Sequence, residues 1–345
     1  INCKGNEQVK QVLIDGPYST KILDVDKPKA LKDWVVVKIR SAPLCTEFKF
    51  FKDGVMPDYP LGHEASGEVV EILDESNLKK GDRVVVMPQY PCGNCYLCDS
   101  GEYIHCLNTF DIKSFTGIQY GASTLAEYIV KPSWLLPKIP DELTYDEASM
   151  ICCGLGPTYG AIDRIDLKKE DTVLITGMGP VGLGGIINAK DIGAKVIVTG
   201  HNDYRNGLAK KLGADLIINP KKNNALKLIK EFTNGLGVNK SIDCAGSVDS
   251  QRLCINASKR NASIAFVGES NSLKVHISND LIRNGLTMVG VWHYNHNLID
   301  DLMKISIRNK EKLNSLITHK FEIENINEAF LLQMTRKCGK VIISP

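Results

Sequence analysis

Two hydrophobic rhythms divide the chain. Between residues 9 and 150, short β-branched runs at 35–39 (VVVKI), 67–72 (GEVVEI) and 83–86 (RVVV) lie among Gly, Pro and Asp turn residues, which predicts a mostly β half. From about residue 158 the grammar changes. Apolar strands at 173–175, 195–198, 216–218 and 264–267 alternate with helical periodicity, so βαβ units and a parallel sheet are expected. A helical stretch over 298–316 and a β-like ending at 340–343 close the pattern. The chain shows no internal repeat and no low-complexity segment.

With 345 residues, 43% of them apolar, the chain can bury one or two sizeable cores, and two domains are expected. Charged residues make up 24% and nearly cancel to +2, which argues against a basic face for nucleic acid. The apolar stretch 173–189 is broken by glycines and a proline, so no membrane helix is expected. Read from Ile1, the sequence lacks the long apolar core of a secretory leader, and a cytoplasmic location is the expectation. Eleven cysteines is a high, odd number whose meaning depends on spacing.

Cys92, Cys95, Cys98 and Cys106 form C-x2-C-x2-C-x7-C, a spacing that lets four thiolates converge on one zinc. Mutual disulfides at steps of three would be strained. Four sulfur ligands leave no open position, so the site reads as structural. The residues between Cys92 and Cys106 include no Lys or Arg, which favours a braced loop over a nucleic-acid ribbon, and His105 reads as a surface residue. Cys3, Cys244, Cys254 and Cys338 lack partner spacing and read as reduced thiols.

Gly177-Met178-Gly179-Pro180-Val181-Gly182 follows an apolar strand and opens a helical pattern, the context in which G-x-G-x-x-G binds a dinucleotide. The first glycine permits the turn, the second admits the pyrophosphate and the third lets helix pack on strand. An acid that would hold the ribose 2′-hydroxyl of NAD is expected at the end of the next strand, but Gly200 stands there. His201, Asn202 and Arg205 offer donors to a 2′-phosphate, which favours NADP(H) with NAD(H) possible, while Asp203 argues the other way. Val267 and Gly268, closing a later strand, complete the candidate cofactor contacts.

Gly62-His63-Glu64 sets a histidine beside a carboxylate just before a β-rich run. Taken with Ser41-Ala42-Pro43-Leu44-Cys45, the four-cysteine loop, Leu125-Ala126-Glu127-Tyr128, the glycine turn and Gly339-Lys340-Val341, it resembles the zinc-dependent medium-chain alcohol and polyol dehydrogenases, which include sorbitol and threonine dehydrogenases. The likeness spans nearly the whole chain. It implies an α/β protein with a GroES-like β-barrel catalytic domain over 1–157 and 294–345, and a Rossmann domain with a doubly wound parallel sheet over 158–293.

The resemblance also implies two zincs per chain, the second a catalytic ion held by Cys45, His63 and Cys153, with Glu64 as a fourth or exchanging ligand. Cys152 adjoins Cys153, so one of the pair is expected to face the metal. After Cys45 this chain departs from the family, reading Thr46-Glu47-Phe48 where a variable residue, Ser or Thr, and then Asp are usual. An ungapped count puts Glu47 in the place of the proton-relay hydroxyl; a one-residue deletion puts Thr46 there and Glu47 in the acidic place. No relay histidine follows, since Lys49, Phe50 and Phe51 fill that neighbourhood. Thr46, Glu47 and Glu64 are thus the candidate catalytic residues.

The implied substrate is a small secondary alcohol or its ketone, of polyol, sugar or cyclitol type, and the implied assembly is a homodimer or homotetramer through an edge strand near 286–291. Two other readings stay open: a cofactor-retaining epimerase or lyase, and a non-catalytic nucleotide-binding member. Trp292, His293, Tyr294 and His296 fit either a site lining or interface packing.

Overall fold

The computed structural model describes residues 6–57, 59–73, 77–116 and 120–345; Cys3 lies outside them. Its strands in chain order are β1 (Gln8–Gly16), β2 (Ser19–Asp26), β3 (Trp34–Pro43), β4 (Ala65–Glu71), β5 (Arg83–Val86), β6 (Tyr128–Pro132), β7 (Thr172–Thr176), β8 (Lys195–Thr199), β9 (Leu216–Ile218), β10 (Val238–Asp243), β11 (Ser258–Phe266), β12 (Thr287–Gly290), β13 (Ile317–Glu322) and β14 (Lys340–Ser344). The chain divides into a first unit, Ile1–Cys152 with Ile317–Pro345, and a second unit, Cys153–Leu316.

In the first unit the strands run in the order β13-β14-β3-β4-β5, with β6 also on β3 and β1-β2 as a hairpin. β3 takes the central place because its run Trp34 to Val37 is wholly buried, as a strand covered on both faces requires. Leu44, Phe51, Leu61, Leu125 and Phe330 fill the core against it. Three chain positions follow from these strand ends. Cys45 comes two residues after β3, His63-Glu64 immediately precedes β4, and Lys340 begins β14, whose Val341 carbonyl accepts the Leu44 N–H at 2.9 Å.

Lys131 on β6 is buried, with its ammonium 3.7 Å from the Tyr90 ring centroid and donating to the Gln89 carbonyl. Burial pushes its pKa down to about 7 from 10.5. Between these values the unfolded chain binds a proton that the folded chain does not, so folded stability rises with pH through that window. Lys131→Met is expected to flatten the rise. Urea midpoints of the two proteins across the window measure it, and parallel curves would rule it out.

The second unit holds a six-stranded sheet in the order β12-β11-β10-β7-β8-β9, every neighbouring pair parallel. The chain order reverses between β7 and β10, the switch point at which open α/β sheets bind ligands. Gly184 belongs to the helix Pro180–Ile192, where a β-carbon would come within 1.7 Å of the Gly154 carbonyl oxygen.

Residues 294–316, expected with 317–345 in the barrel domain, fall in the second unit, and that unit begins at Cys153 rather than at 158. The reason is a polar clamp. Arg308 donates twice to Asp191, at 3.1 and 2.6 Å, and Asn309 Nδ2 donates to the same carboxylate at 2.7 Å, tying the segment to the helix Pro180–Ile192. The helical stretch expected over 298–316 is accordingly two helices, Ile299–Arg308 and Lys310–Leu316, parted at Asn309. Asparagine competes with helical backbone for hydrogen bonds and so suits such a break. No helix among the described residues is long and apolar enough to cross a membrane.

Candidate active site

The four cysteines of the spaced motif come together in the first unit. Their ligand atoms all lie within 4.8 Å of one another, with Sγ–Sγ distances of 3.6 Å for Cys95–Cys98, 3.9 Å for Cys95–Cys106 and 3.4 Å for Cys92–Cys106. Four sulfurs at about 2.3 Å from one zinc stand about 3.8 Å apart in a tetrahedron, so the cluster fits that ion. Backbone N–H groups, that of Leu107 first, hold the Cys95 thiol down to about 6, while burial pushes Cys98 up to about 12. Crowded thiols cannot all ionise without a cation among them. His105 is exposed, and none of the ten described cysteines is in a disulfide.

A second cluster gathers Cys45, His63, Glu64 and Cys153, whose ligand atoms also lie within 4.8 Å of one another. The segment that delivers Cys153 is anchored in the first unit. Thr144 and Glu147 form a capping box on the helix Tyr145–Ser149, Ser66 Oγ donates to the Tyr145 carbonyl at 2.7 Å, and Lys320 pairs with Asp146. Successive side chains then diverge: Cys152 Sγ contacts the Val86 carbonyl at 3.5 Å, and Cys153, the next residue, joins the cluster.

Glu47 is the residue of the Thr46-Glu47-Phe48 segment that meets His63. Its Oε1 is 2.9 Å from His63 Nδ1 and its Oε2 accepts the Cys45 N–H at 2.7 Å, so the buried carboxylate orients the histidine while Thr46 is exposed. With Nδ1 engaged, His63 presents Nε2 to the cluster, 3.9 Å from Glu64 Oε1. Burial disfavours charge on both partners, yet their attraction outweighs it, holding Glu47 below and His63 well above their ordinary values. A metal would therefore compete with a proton for Nε2.

Glu64 is fully buried and its Oε1 accepts from Lys340 Nζ at 2.6 Å, while Oε2 has no hydrogen-bond partner. Burial pushes its carboxyl up to about 7 even beside that lysine. Two thiols, an imidazole and a carboxylate with an unsatisfied buried oxygen form a donor set suited to zinc.

The glycine turn has the geometry its spacing calls for. Gly177 adopts φ +84°, and a β-carbon there would meet Ala245 Cα at 2.7 Å, while one on Gly182 would come within 1.9 Å of the Gly177 carbonyl oxygen. At Gly179 nothing lies within 4 Å, so the approach is open to a phosphate. Gly179 caps the helix Pro180–Ile192 without any side-chain hydrogen bond, leaving Val181 and Gly182 among the first-turn N–H groups available to an anion; Met178 is buried beneath. At Gly200 the side-chain direction is filled by Asn206 Oδ1, 2.6 Å from where a β-carbon would sit, and by Met178. Asn202 caps the helix Asp203–Leu212 through the Arg205 N–H at 3.0 Å, His201 is exposed, and Asp203 lies 3.7 Å from Lys222.

Two contributors escaped the sequence reading. Lys340 stands in the sequence only as part of the ending Gly339-Lys340-Val341. The other is Asp243, buried at the end of β10: its carboxylate accepts from Thr176 Oγ1 at 2.6 Å, Ala245 N at 3.3 Å and Gly246 N at 3.1 Å, and its carbonyl accepts from Val267 N and Gly268 N at 2.9 and 2.8 Å. One residue thus ties three strand ends around the glycine turn. An acid closing a strand just before Cys244-Ala245-Gly246 was the available signal. Asp243→Ala would strand buried donors at about 1–3 kcal/mol each; a weaker nucleotide Kd by about tenfold is expected, read by fluorescence titration, and an unchanged Kd would refute the link.

The chain is similar to known proteins over most of its length. The family described as "Alcohol dehydrogenase GroES-like domain" matches residues 31–141, and "Zinc-binding dehydrogenase" matches 180–307. L-threonine 3-dehydrogenase of Pyrococcus horikoshii is 31% identical, over 94% of this chain and 95% of that protein. D-arabitol-phosphate dehydrogenase of Enterococcus avium is also 31% identical, over 93% and 92%. Alcohol dehydrogenase TADH from Thermus sp. ATN1 shares the fold, with a TM-score of 0.88 at 24% identity over 97% of this chain and 99% of that one.

Proposed function

The chain belongs to the zinc-binding alcohol dehydrogenases of the medium-chain type, and we propose that it transfers a hydride between a secondary alcohol of polyol, sugar or cyclitol type and NADP(H) or NAD(H). Its family chemistry is that of oxidoreductases acting on small-molecule alcohols with zinc and a nicotinamide cofactor. Cys45, His63 and Cys153 would hold a catalytic zinc, with Glu64 as exchanging ligand, and Cys92, Cys95, Cys98 and Cys106 would hold a structural zinc, two ions per chain. The observation carrying the reading is the clustering of the four ligand atoms around Cys45 within 4.8 Å.

When bound, zinc supplies a Lewis acid that lowers the pKa of an alcohol hydroxyl, and the nicotinamide supplies the hydride acceptor. The protein's part is positional. Glu47 keeps His63 in the tautomer whose Nε2 faces the cluster, and Lys340 holds one Glu64 oxygen while the other stays available. Thr46, exposed beside Cys45, is the hydroxyl that hands the substrate proton toward solvent. Glu47 is the orienting residue and not the relay.

For the nucleotide, Gly177 to Gly182 take the pyrophosphate, with Val267 and Gly268 beside that turn. NADP(H) is the preferred form: no carboxylate stands at Gly200, His201, Asn202 and Arg205 follow it, and Asp203 is drawn to Lys222. A panel of alcohols and ketones assayed with both cofactors tests the reading. Faster turnover with NADP(H) is expected; activity confined to NAD(H) overturns the cofactor preference, and no redox turnover on any substrate overturns the function. We also place a homodimer or homotetramer contact along β12, the edge strand of its sheet, which a monomer by light scattering would refute.

A further inference from the structure

The turn after β12 holds a histidine whose backbone and ring are both constrained. His293 has φ +54°, in the left-handed region that a β-carbon disfavours, and is only 7% exposed. Its neighbours keep it there. Arg164 donates to the Gly290 carbonyl at 3.0 Å, Tyr294 is buried, and a β-carbon on Gly160 would come within 2.6 Å of the His293 carbonyl oxygen and 2.8 Å of Tyr294 Cβ. A non-glycine residue in this region persists where its surroundings over-determine it. The result is local and specific: His293 Nδ1 lies 3.9 Å from Cys153 Sγ. Among the described residues the ligand group around Cys45 comprises Cys45, His63, Glu64 and Cys153, so His293 meets the group's sulfur without belonging to it.

We propose that His293 is a positioning residue for the Cys153 thiolate, donating its Nδ1–H to Sγ so that the sulfur's direction is fixed and part of its charge is drawn back. The inference rests on Cys153 being a zinc ligand. It explains why a histidine, and not a glycine, occupies a left-handed position against which Gly160 is packed. Donors to metal-bound side chains orient the ligand and tune its basicity, and their loss typically weakens metal binding by about 10- to 100-fold.

The test uses the full-length protein with cobalt(II) exchanged into the Cys45 site and zinc kept in the four-cysteine cluster. His293→Phe keeps the ring volume without the donor; His293→Asn keeps a donor in the Nδ1 place and tolerates φ above zero. Phenylalanine is expected to move the thiolate-to-cobalt charge-transfer band to lower energy and to speed cobalt loss to a chelator by about tenfold or more, and asparagine to restore both toward wild type. If the phenylalanine variant does not fold, His293→Gly, which accepts this φ without strain, makes the same comparison against asparagine. A wild-type band and retention in a donor-free variant with cobalt bound overturn the inference. Absence of any thiolate-to-cobalt band in the wild-type protein overturns the zinc assignment beneath it instead.

Discussion

Cys45→Ala is expected to cut turnover by about a thousandfold while the protein stays folded and binds nucleotide. The size follows from the several kcal/mol of transition-state stabilisation that a Lewis acid contributes, at about 1.4 kcal/mol per factor of ten. Folding is spared because Cys45 is only partly buried and what holds its segment is backbone: its own N–H donates to Glu47 and the neighbouring Leu44 N–H donates to Val341. The four-cysteine cluster is a separate set of ligands. Metal analysis should therefore fall from about two ions per chain to about one, in step with activity, since a three-donor site reduced to two no longer holds zinc firmly. Two ions per chain together with turnover within tenfold of wild type would remove the catalytic assignment.

Lys340→Met should carry the largest loss of stability. Lys340 and Glu64 are both 0% exposed and 2.6 Å apart, so removing the ammonium strands a buried carboxylate whose second oxygen already lacks a hydrogen-bond partner. Breaking such a pair costs about 3–5 kcal/mol, whereas exchanging both members for apolar residues of similar volume is often neutral. The double variant Lys340→Met with Glu64→Leu is accordingly expected to recover most of the loss, though not the activity. Urea denaturation of the two proteins decides it. A single variant within about 1 kcal/mol of wild type would mean that the pair contributes little.

Local spacing encodes much of this protein's chemistry. The C-x2-C-x2-C-x7-C loop and the glycine turn are legible because their chemistry depends on a few consecutive dihedrals and on side chains a handful of residues apart. Strand positions were legible for the same reason, since β-branched runs between turn residues constrain their own backbone; the run at 83–86 coincides with β5. The helix break at Asn309 was not, because the carboxylate that Asn309 and Arg308 share lies on a helix more than a hundred residues away.

The chain's own order of residues was enough to specify the four-cysteine cluster, the glycine turn and the alternation of strands and helices, all of them set by short-range sterics and periodicity, whereas the set Cys45, His63, Glu64 and Cys153 followed only from the family resemblance. Only tertiary structure groups Cys153, and not Cys152, with Cys45, sets Glu47 against His63, and pairs Glu64 with Lys340 across 276 positions. Buried charge is stable only beside a partner, and which partner arrives depends on how β3, β4 and β14 register against one another, a property of the folded sheet that spacing along the chain does not encode.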